Sequence, residues 1–521
     1  MKHAHNQEIF VLYSTVFITG LAVLVLEVAA IRMLAIYFGN SLYVLSSILS
    51  VILAALALGY FFGGRCADRY PTPLVLYTLI SAAGLALLLV YVLSGLFFPS
   101  LSDVFGLIWG PLVLAGFFLI PAFLLGVDSP YVIRLLSRDS SSAHAGKVAG
   151  TTFCLSTVGS IVGSILAGFW LIPTIGTQLT IISTAGALIV LGILGILFFQ
   201  SESGLHYKAL ISILLTIAIA GVLLLLFGLK GISAFGPEVI YATDGLYSHV
   251  QVREQRTQRG MVRSLRLDSS MASSIFLDPE LRTYHPYLYA QYAKLYQATT
   301  PDARDFLLIG GGGYTIPRYL LATDESLQIT VIEPEKILLD IAHTYLDLPR
   351  SDRLTNVTND GRVYVRTSPD DSYDVIFANA MQTGLSIPTH LVTTEYFLEI
   401  DRVLRTDGVF ILNVIGTLRE ESPSLLGSIN KTLESVFPSV SLYKVHTIER
   451  PGPDNFIFVA QTEEDLAGPH DIMVHDYDLQ HHPAAERHIP LPYKDLSDEH
   501  IFIDNKTTLI ERLLVREYQD F

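Results

Sequence analysis

The chain has 521 residues, 51% of them apolar, with a mean hydropathy of +0.46 and a net charge of −15. Such a length allows two or three domains, and such a hydropathy excludes an ordinary soluble enzyme as the whole of it. The charge is unevenly split: residues 1–230 hold nine Lys/Arg and seven Asp/Glu, net +2, while residues 231–521 hold 25 and 42, net −17. An acidic soluble half without a basic stripe has the wrong sign for a phosphate backbone, so no nucleic-acid partner is expected. Its charge suits solubility, or a cationic substrate. The two cysteines, Cys66 and Cys154, fall in the apolar half and offer no disulfide framework or CxxC metal site.

A membrane-spanning helix needs roughly 20 apolar residues. Seven stretches reach that length, 9–38, 42–62, 73–98, 105–127, 148–173, 177–199 and 208–229, and predict a multi-pass helical bundle in the cell membrane. The first is too long for a signal-peptide core and is expected to be retained. Gly159 and Gly163 form a GxxxG spacing, which lets helix backbones approach closely. Glu27 and Arg32 lie within the first stretch, and Asp128 and Arg134 follow the fourth. A charge at mid-bilayer costs about 2.5–3.5 kcal/mol on insertion scales, so these groups should face protein or water. Glu27 and Arg32 are about 140° apart around a helix, so each should find a partner on another helix.

Loop charges give an orientation. Arg65, Arg69, Arg134, Arg138, Lys147 and Lys208 fall on one side together with Lys2, and the positive-inside rule makes that side cytoplasmic. Seven crossings would then carry the soluble half to the opposite side, whereas a domain that uses a cytosolic nucleotide belongs inside. The two requirements oppose each other.

After the last apolar stretch, "EVIYATDGLYSHVQVREQRTQRGMVRSLRLDSS" predicts short strands: Val250 and Val252 alternate with polar residues, "TQRG" turns, and Val262, Leu265 and Leu267 follow. The segment 281–297 carries Tyr284, Leu288, Tyr292 and Leu295 at helical spacing, with His285 the one candidate there for chemistry. From Arg304 onward, short apolar runs alternate with helical periods, which predicts a parallel sheet with helices on both faces. Ligands of such sheets bind at the carboxyl ends of the strands.

"LLIGGGGYTIPRYLL" places Gly310, Gly311, Gly312 and Gly313 where the first strand gives way to a helix. Missing side chains let the backbone approach a ligand, and free amides at a helix start favour a negative group. Glu333 ends the next strand 23 residues after Gly310, where an acid accepts hydrogen bonds from ribose hydroxyls. In "NDGR", Asp360 and Gly361 follow the third strand, and a carboxylate there could accept from an adenine amine. Each turn alone is also ordinary turn chemistry. In order at the ends of successive strands, the three point to an adenosyl site.

These residues resemble the spermidine synthase family, the polyamine aminopropyltransferases, and more specifically its branch in which a multi-pass membrane domain precedes the synthase-like domain. "EVAAIRMLAIYFGNS", "GTTFCLSTVGSIVGSILAGFWLIP", "IGGGGYTIPRYL" and "IPTHLVTTEYF" carry the likeness over nearly the whole chain. The small sheet ahead of the glycine loop is similar to that family's N-terminal strand region. The resemblance implies a transferase that binds decarboxylated S-adenosylmethionine, or S-adenosylmethionine, as co-substrate without a metal. Its acceptor would be a small cationic amine, putrescine or another polyamine. By position Gly310, Gly311 and Gly312 would line the nucleoside, Glu333 would hold the ribose and Asp360 the adenine.

The sequence departs from that pattern where catalysis is placed. Asn379 stands at the family's catalytic aspartate, after the strand "YDVIFANAM". An amide cannot take a proton from the attacking amine, and loss of a general base typically costs about 10²–10⁴ in rate. The aspartate of the family's glycine loop is Gly313, and the Tyr-Gln pair ahead of the sheet reads Tyr247-Ser248. Three readings remain open: an aminopropyltransferase using another base such as His285, another S-adenosylmethionine-dependent transferase, or a nucleoside- or polyamine-sensing domain fused to a membrane transporter. The tail carries His470, His475, His481, His482, His488 and His500 at no metal-binding spacing, and its "FIDN" departs from the family's closing "LTDD". The expected organisation is a transmembrane domain over 1–230, a strand region with a Tyr-rich helix over 231–300, and a Rossmann-like, methyltransferase-type doubly wound domain over 301–521. A homodimer is a further expectation.

Overall fold

The computed structural model describes residues 2–38, 42–137, 145–199, 216–221, 238–257, 260–268, 270–278, 302–380, 388–418, 424–445, 454–463, 473–475, 481–483, 501–504 and 513. The chain divides into two compact units, Met1–Pro237 and Glu238–Phe521. His285 and its Tyr-rich segment lie outside the described residues, as do His470, His488, His500 and most of the stretch 208–229.

The first unit is helical: α1 (Lys2–Phe38), α2 (Leu42–Arg69), α3 (Pro73–Ala115), α4 (Leu119–Gly126), α5 (Asp128–Leu136), α6 (Ala145–Leu166) and α7 (Ile172–Phe198). Among the described residues five helical segments are long and apolar enough to cross a membrane: Asn6–Phe38, Leu42–Arg69, Pro73–Ser102, Trp109–Leu136 and Gly146–Phe198. The expected stretches 148–173 and 177–199 therefore share one 53-residue segment. It is broken at Gly176, whose φ of 80° and ψ of 165° suit glycine alone. A straight helix of that length, at about 1.5 Å per residue, would exceed twice the ~30 Å thickness of a hydrocarbon core.

Small residues bring these helices together. A Cβ on Gly159 or Gly163 of α6 would collide with the backbone oxygens of Phe17 and Leu21 of α1, so the GxxxG spacing lies in a helix contact. Gly192 and Gly195 of α7 leave room in the same way for Tyr77 and Ser81 of α3. Arg134 Nε pairs with Asp68 Oδ1 of α2 at 3.0 Å, and Asp128 is buried between helices.

The second unit begins with β1 (Val239–Asp244), β2 (His249–Thr257), β3 (Gly260–Leu267) and β4 (Ser270–Phe276), an antiparallel sheet in chain order. Then come β5 (Asp305–Ile309), α8 (Thr315–Thr323), β6 (Gln328–Ile332), α9 (Ile337–Tyr345), β7 (Leu354–Val357), α10 (Gly361–Thr367) and β8 (Tyr373–Ala378). The fold continues through α11 (Thr394–Val403), β9 (Leu404–Gly416), α12 (Leu425–Glu434), β10 (Ser439–Lys444) and β11 (Asp454–Gln461). The seven strands of the second sheet run in the order β10-β11-β9-β8-β5-β6-β7, with β5 to β9 parallel and β11 antiparallel to both its neighbours. β12 (Met473–His475) and β13 (His481–Pro483) form a short separate ribbon.

Strand alternation fixes both faces. Phe306, Leu308, Ile329, Val331, Val375 and Phe377 pack under α8 and α9, together with Val250, Val252 and Leu265 of the small sheet. The intervening residues Leu307, Ile309, Ile332 and Ile376 pack under α11 and α12 with Tyr396, Phe397 and Ile429. Chain order reverses between β5 and β8, and the carboxyl ends of strands at such a reversal form a crevice. Gly310, Glu333 and Asn379 leave the sheet there.

Candidate functional site

The glycine loop leaves β5 by a left-handed step, Gly310 φ +93° and Gly312 φ +50°. A Cβ on Gly310 would stand 2.6 Å from the backbone oxygen of Asn379, whose own N–H donates to Ile309 O at 2.8 Å. The glycine is therefore required where the turns after β5 and β8 press together. Tyr314, also left-handed at φ 55°, is fully buried, and its hydroxyl donates to Asn356 Oδ1 of β7. Holding a non-glycine residue there costs on the order of 1–3 kcal/mol, which burial of the ring offsets.

The expectation of free amides in this loop is corrected. Gly311 N–H and Gly312 N–H donate to Glu333 Oε2 at 2.8 and 3.0 Å, Gly313 N–H donates to Ser273 Oγ at 3.0 Å, and Gly310 N–H donates to Ile332 O at 2.9 Å. The physical reason is that an acid at the end of the neighbouring strand occupies the concavity that the amides form. A carboxylate there repels a phosphate and leaves a place for hydroxyls or a cation.

Glu333 is 7% exposed, and its second oxygen, Oε1, accepts from Glu335 N–H at 3.0 Å. Burial pushes its carboxyl up; hydrogen bonds from the amides of Glu335, Gly312 and Gly311 partly offset this, and the Glu335 charge adds to the rise. Glu335 is 5% exposed, and its Oε2 accepts from Tyr247 N–H at 2.8 Å, so the turn between β1 and β2 closes over it. Gly245 in that turn has no room for a side chain against the same carboxylate. Two buried carboxylates two residues apart thus mark the end of β6. Sequence reading found Glu333 and missed Glu335, whose signal was the second acid of "EPEK".

Asp360 caps α10: its Oδ1 accepts from Val363 N–H at 3.0 Å, and its Oδ2 lies 3.3 Å from His390 Nε2. This is the usual work of an aspartate at the start of a helix, and its side chain remains nearly half exposed. Gly361 packs without a side chain against Ile309. The neighbouring Arg362 ties the closing "FIDN" to this turn, donating from Nη1 to Asp504 Oδ1 at 2.7 Å and from Nη2 to Glu399 Oε1 at 3.2 Å. Asp504 is held below the usual carboxylate range by that guanidinium, against a smaller opposing effect of burial.

Asn379 ends β8 as expected. Its Oδ1 accepts from Asn413 Nδ2 of β9 at 2.8 Å, and Asn413 Oδ1 accepts from Asn455 Nδ2 of β11 at 2.9 Å. The Asn379 amide is thus one end of a chain of three, a feature that needs the pairing of β8, β9 and β11. A Cβ on Gly313 would meet Ser273 Cβ at 2.5 Å and Leu346 Cδ1 at 2.7 Å. The small sheet has closed onto the loop, leaving no space for a side chain there.

A model of the spermine/spermidine synthase domain matches residues 291–467. Those residues carry a domain of the spermidine synthase family. The chain is similar to the polyamine aminopropyltransferase of Vibrio vulnificus, 27% identical over 210 residues, covering 40% of this chain and 68% of the relative. It is similar also to polyamine aminopropyltransferase 1 of Streptomyces coelicolor, 22% identical over 474 residues, covering 86% of this chain and 83% of the relative. Across the first relatives matched, the chain spans between 44% and 68% of their length. Among solved structures, a probable spermidine synthase of Corynebacterium glutamicum aligns at 20% identity and a TM-score of 0.38, over 44% of this chain and 81% of that one. In this family member the glycine loop and Glu333 stand at adjoining strand ends, whereas Asp360 is engaged in its own helix cap.

Proposed function

We propose that the sheet-bearing unit binds an S-adenosyl nucleoside, decarboxylated S-adenosylmethionine or S-adenosylmethionine, at the carboxyl ends of β5, β6 and β7. It then transfers the aminopropyl group of the decarboxylated form to a small amine such as putrescine or another polyamine. The helical unit holds it in the cell membrane. In the transfer the amine nitrogen attacks the methylene carbon beside the sulfonium, the carbon–sulfur bond breaks with its electron pair going to sulfur, and the nitrogen sheds a proton.

The observation that carries this reading is the buried pair Glu333 and Glu335 beside a glycine loop whose Gly311 and Gly312 amides are already taken. Such a place disfavours a phosphate and favours ribose hydroxyls and a sulfonium cation. Gly310, Gly312 and Gly313 shape the loop, Glu333 receives the ribose, Asp360 and Gly361 border the base, and Asn379 orients the amine without accepting its proton. Transfer is therefore slow at neutral pH and rises with pH as more of the acceptor amine becomes free base.

Calorimetric titration of the detergent-solubilised protein with decarboxylated S-adenosylmethionine, S-adenosylmethionine and adenosine monophosphate tests the binding, and mass spectrometry of putrescine tests the transfer. A cationic nucleoside binds, the phosphate does not, and Glu333→Gln weakens binding by about 10-fold or more, the scale of a hydrogen bond to a charged group. Because Glu333 protonates above the ordinary glutamate range, the carboxylate that receives the ribose is lost as pH falls through that raised value. Binding should weaken there on acidification. Absence of heat with every adenosyl ligand would overturn the reading.

A further inference from the structure

The helical unit contains a carboxyl that the adenosyl chemistry does not use. Asp128, at the start of α5, is 2% exposed inside a core of aliphatic and aromatic side chains. Its Oδ2 accepts from Thr19 Oγ1 of α1 at 2.5 Å, and its Oδ1 is fully buried without a hydrogen-bond partner. An ionised carboxylate in such surroundings is paired or hydrogen-bonded, or else takes up a proton.

The neighbours supply no counter-charge among the described residues. On α1 the titratable residues nearest Thr19 along the helix are Tyr13, six residues before it, and Glu27, eight after, with Arg32 thirteen after. Tyr60 of α2 and Tyr77 of α3 come close enough to sense the Asp128 charge, and Tyr77 Oη lies 3.0 Å from Thr15 Oγ1. On α5 itself Tyr131 is bonded to the backbone oxygen of Tyr70, and Arg134 is paired with Asp68 of α2. At the far end of α2, Arg65 lies over the Phe61 ring and Arg69 over the Tyr70 ring. α4 has no titratable side chain, and α6 has only Lys147 near its start and the exposed Cys154. A calcium ion would need six to eight oxygens. Apart from Asp128 Oδ1, the buried side-chain oxygens of this unit without a partner, among the described residues, are Ser81 Oγ and Ser137 Oγ. Ser81 faces Gly192 of α7, and Ser137 sits at the end of α5. They do not compose a shell.

We propose that Asp128 is a proton-binding site of the helical unit, a carboxyl that takes up and releases a proton inside the bundle through the oxygen that Thr19 leaves open. The Thr19 hydroxyl steadies the ionised form by donating to the other oxygen, so the pair links the protonation state to the contact between α1 and α5. This inference needs only a folded helical unit and does not depend on what the sheet-bearing unit binds.

Infrared difference spectroscopy of the full chain in lipid nanodiscs, titrated across pH, reads the carboxylic C=O band directly. The wild-type protein should show a carboxylic C=O band that appears and disappears with pH, and Asp128→Asn should abolish that band. Thr19→Val, which leaves the carboxyl in place, should shift the midpoint of that band because it removes the hydroxyl that favours the ionised form. A spectrum indifferent to Asp128→Asn would overturn the proposal. Should Asp128→Asn not fold, the Thr19→Val protein decides alone: an unmoved midpoint rejects the site.

Discussion

At the residue scale the most informative position is Asn379. Its backbone is fixed by Ile309 and its side chain by Asn413, so the turn after β8 is built for hydrogen bonding and lacks a charge. Replacing it by aspartate introduces a proton acceptor at an unchanged position. Asn379→Asp should raise the aminopropyl transfer rate by about 10-fold or more at neutral pH, within the 10²–10⁴ that a general base typically contributes, as measured by product formation under saturating substrates. A fall in rate would place proton removal elsewhere. Gly313→Asp, in contrast, should not help, because Ser273 and Leu346 already fill the space of that side chain. The identity of both residues was legible in the sequence. The lack of room for a side chain at Gly313 was not, because Ser273, which fills that room, lies in a strand forty residues earlier in the chain.

At the element scale, the glycine loop works as a packing device first. Gly310 combines a φ of +93° with a Cβ position 2.6 Å from Asn379 O, so an added methyl meets backbone, which cannot swing aside. Gly310→Ala should destabilise the sheet-bearing unit by about 1–3 kcal/mol or more, read as a lowered midpoint in denaturant. It should also weaken nucleoside binding by shifting Glu333 relative to the loop. Strand periodicity predicted the hairpins of the small sheet, and Val250, Val252 and Leu265 lie in its packed face. The same reasoning left the amides of the glycine loop free. That they are taken by Glu333 and Ser273 depends on β6 lying beside β5 and on β4 folding over α8. Local patterns carry no information about such contacts.

At the scale of the whole molecule, the chain is an apolar helical unit with a small positive charge followed by an acidic sheet-bearing unit. Five segments with mean hydropathy between 2.2 and 2.5 over their best windows have the length and composition of membrane helices. Their side chains include exposed Phe61, Phe62, Trp109, Phe153, Phe169 and Trp170, and large exposed apolar residues mark surfaces that meet a membrane or another protein. After alkaline carbonate extraction of cell membranes, the full chain should remain in the pellet, as followed by immunoblot. Release into the supernatant would contradict the proposed membrane anchorage.

The sequence by itself determined the two-part organisation, the alternation of strands and helices, and the order of Gly310, Glu333, Asp360 and Asn379 along successive turns. These follow from hydropathy and from periods of about 2 and 3.6 residues, which depend on near neighbours in the chain. Asp360 caps its own helix, a local contact; only the tertiary structure decided what the others touch: Glu333 on the loop amides, Asn379 at the end of an amide chain, and Asp128 against Thr19. The physical reason is that hydrogen-bond partners and burial come from segments tens to more than a hundred residues apart. Folding brings them together, and no local pattern records their distance.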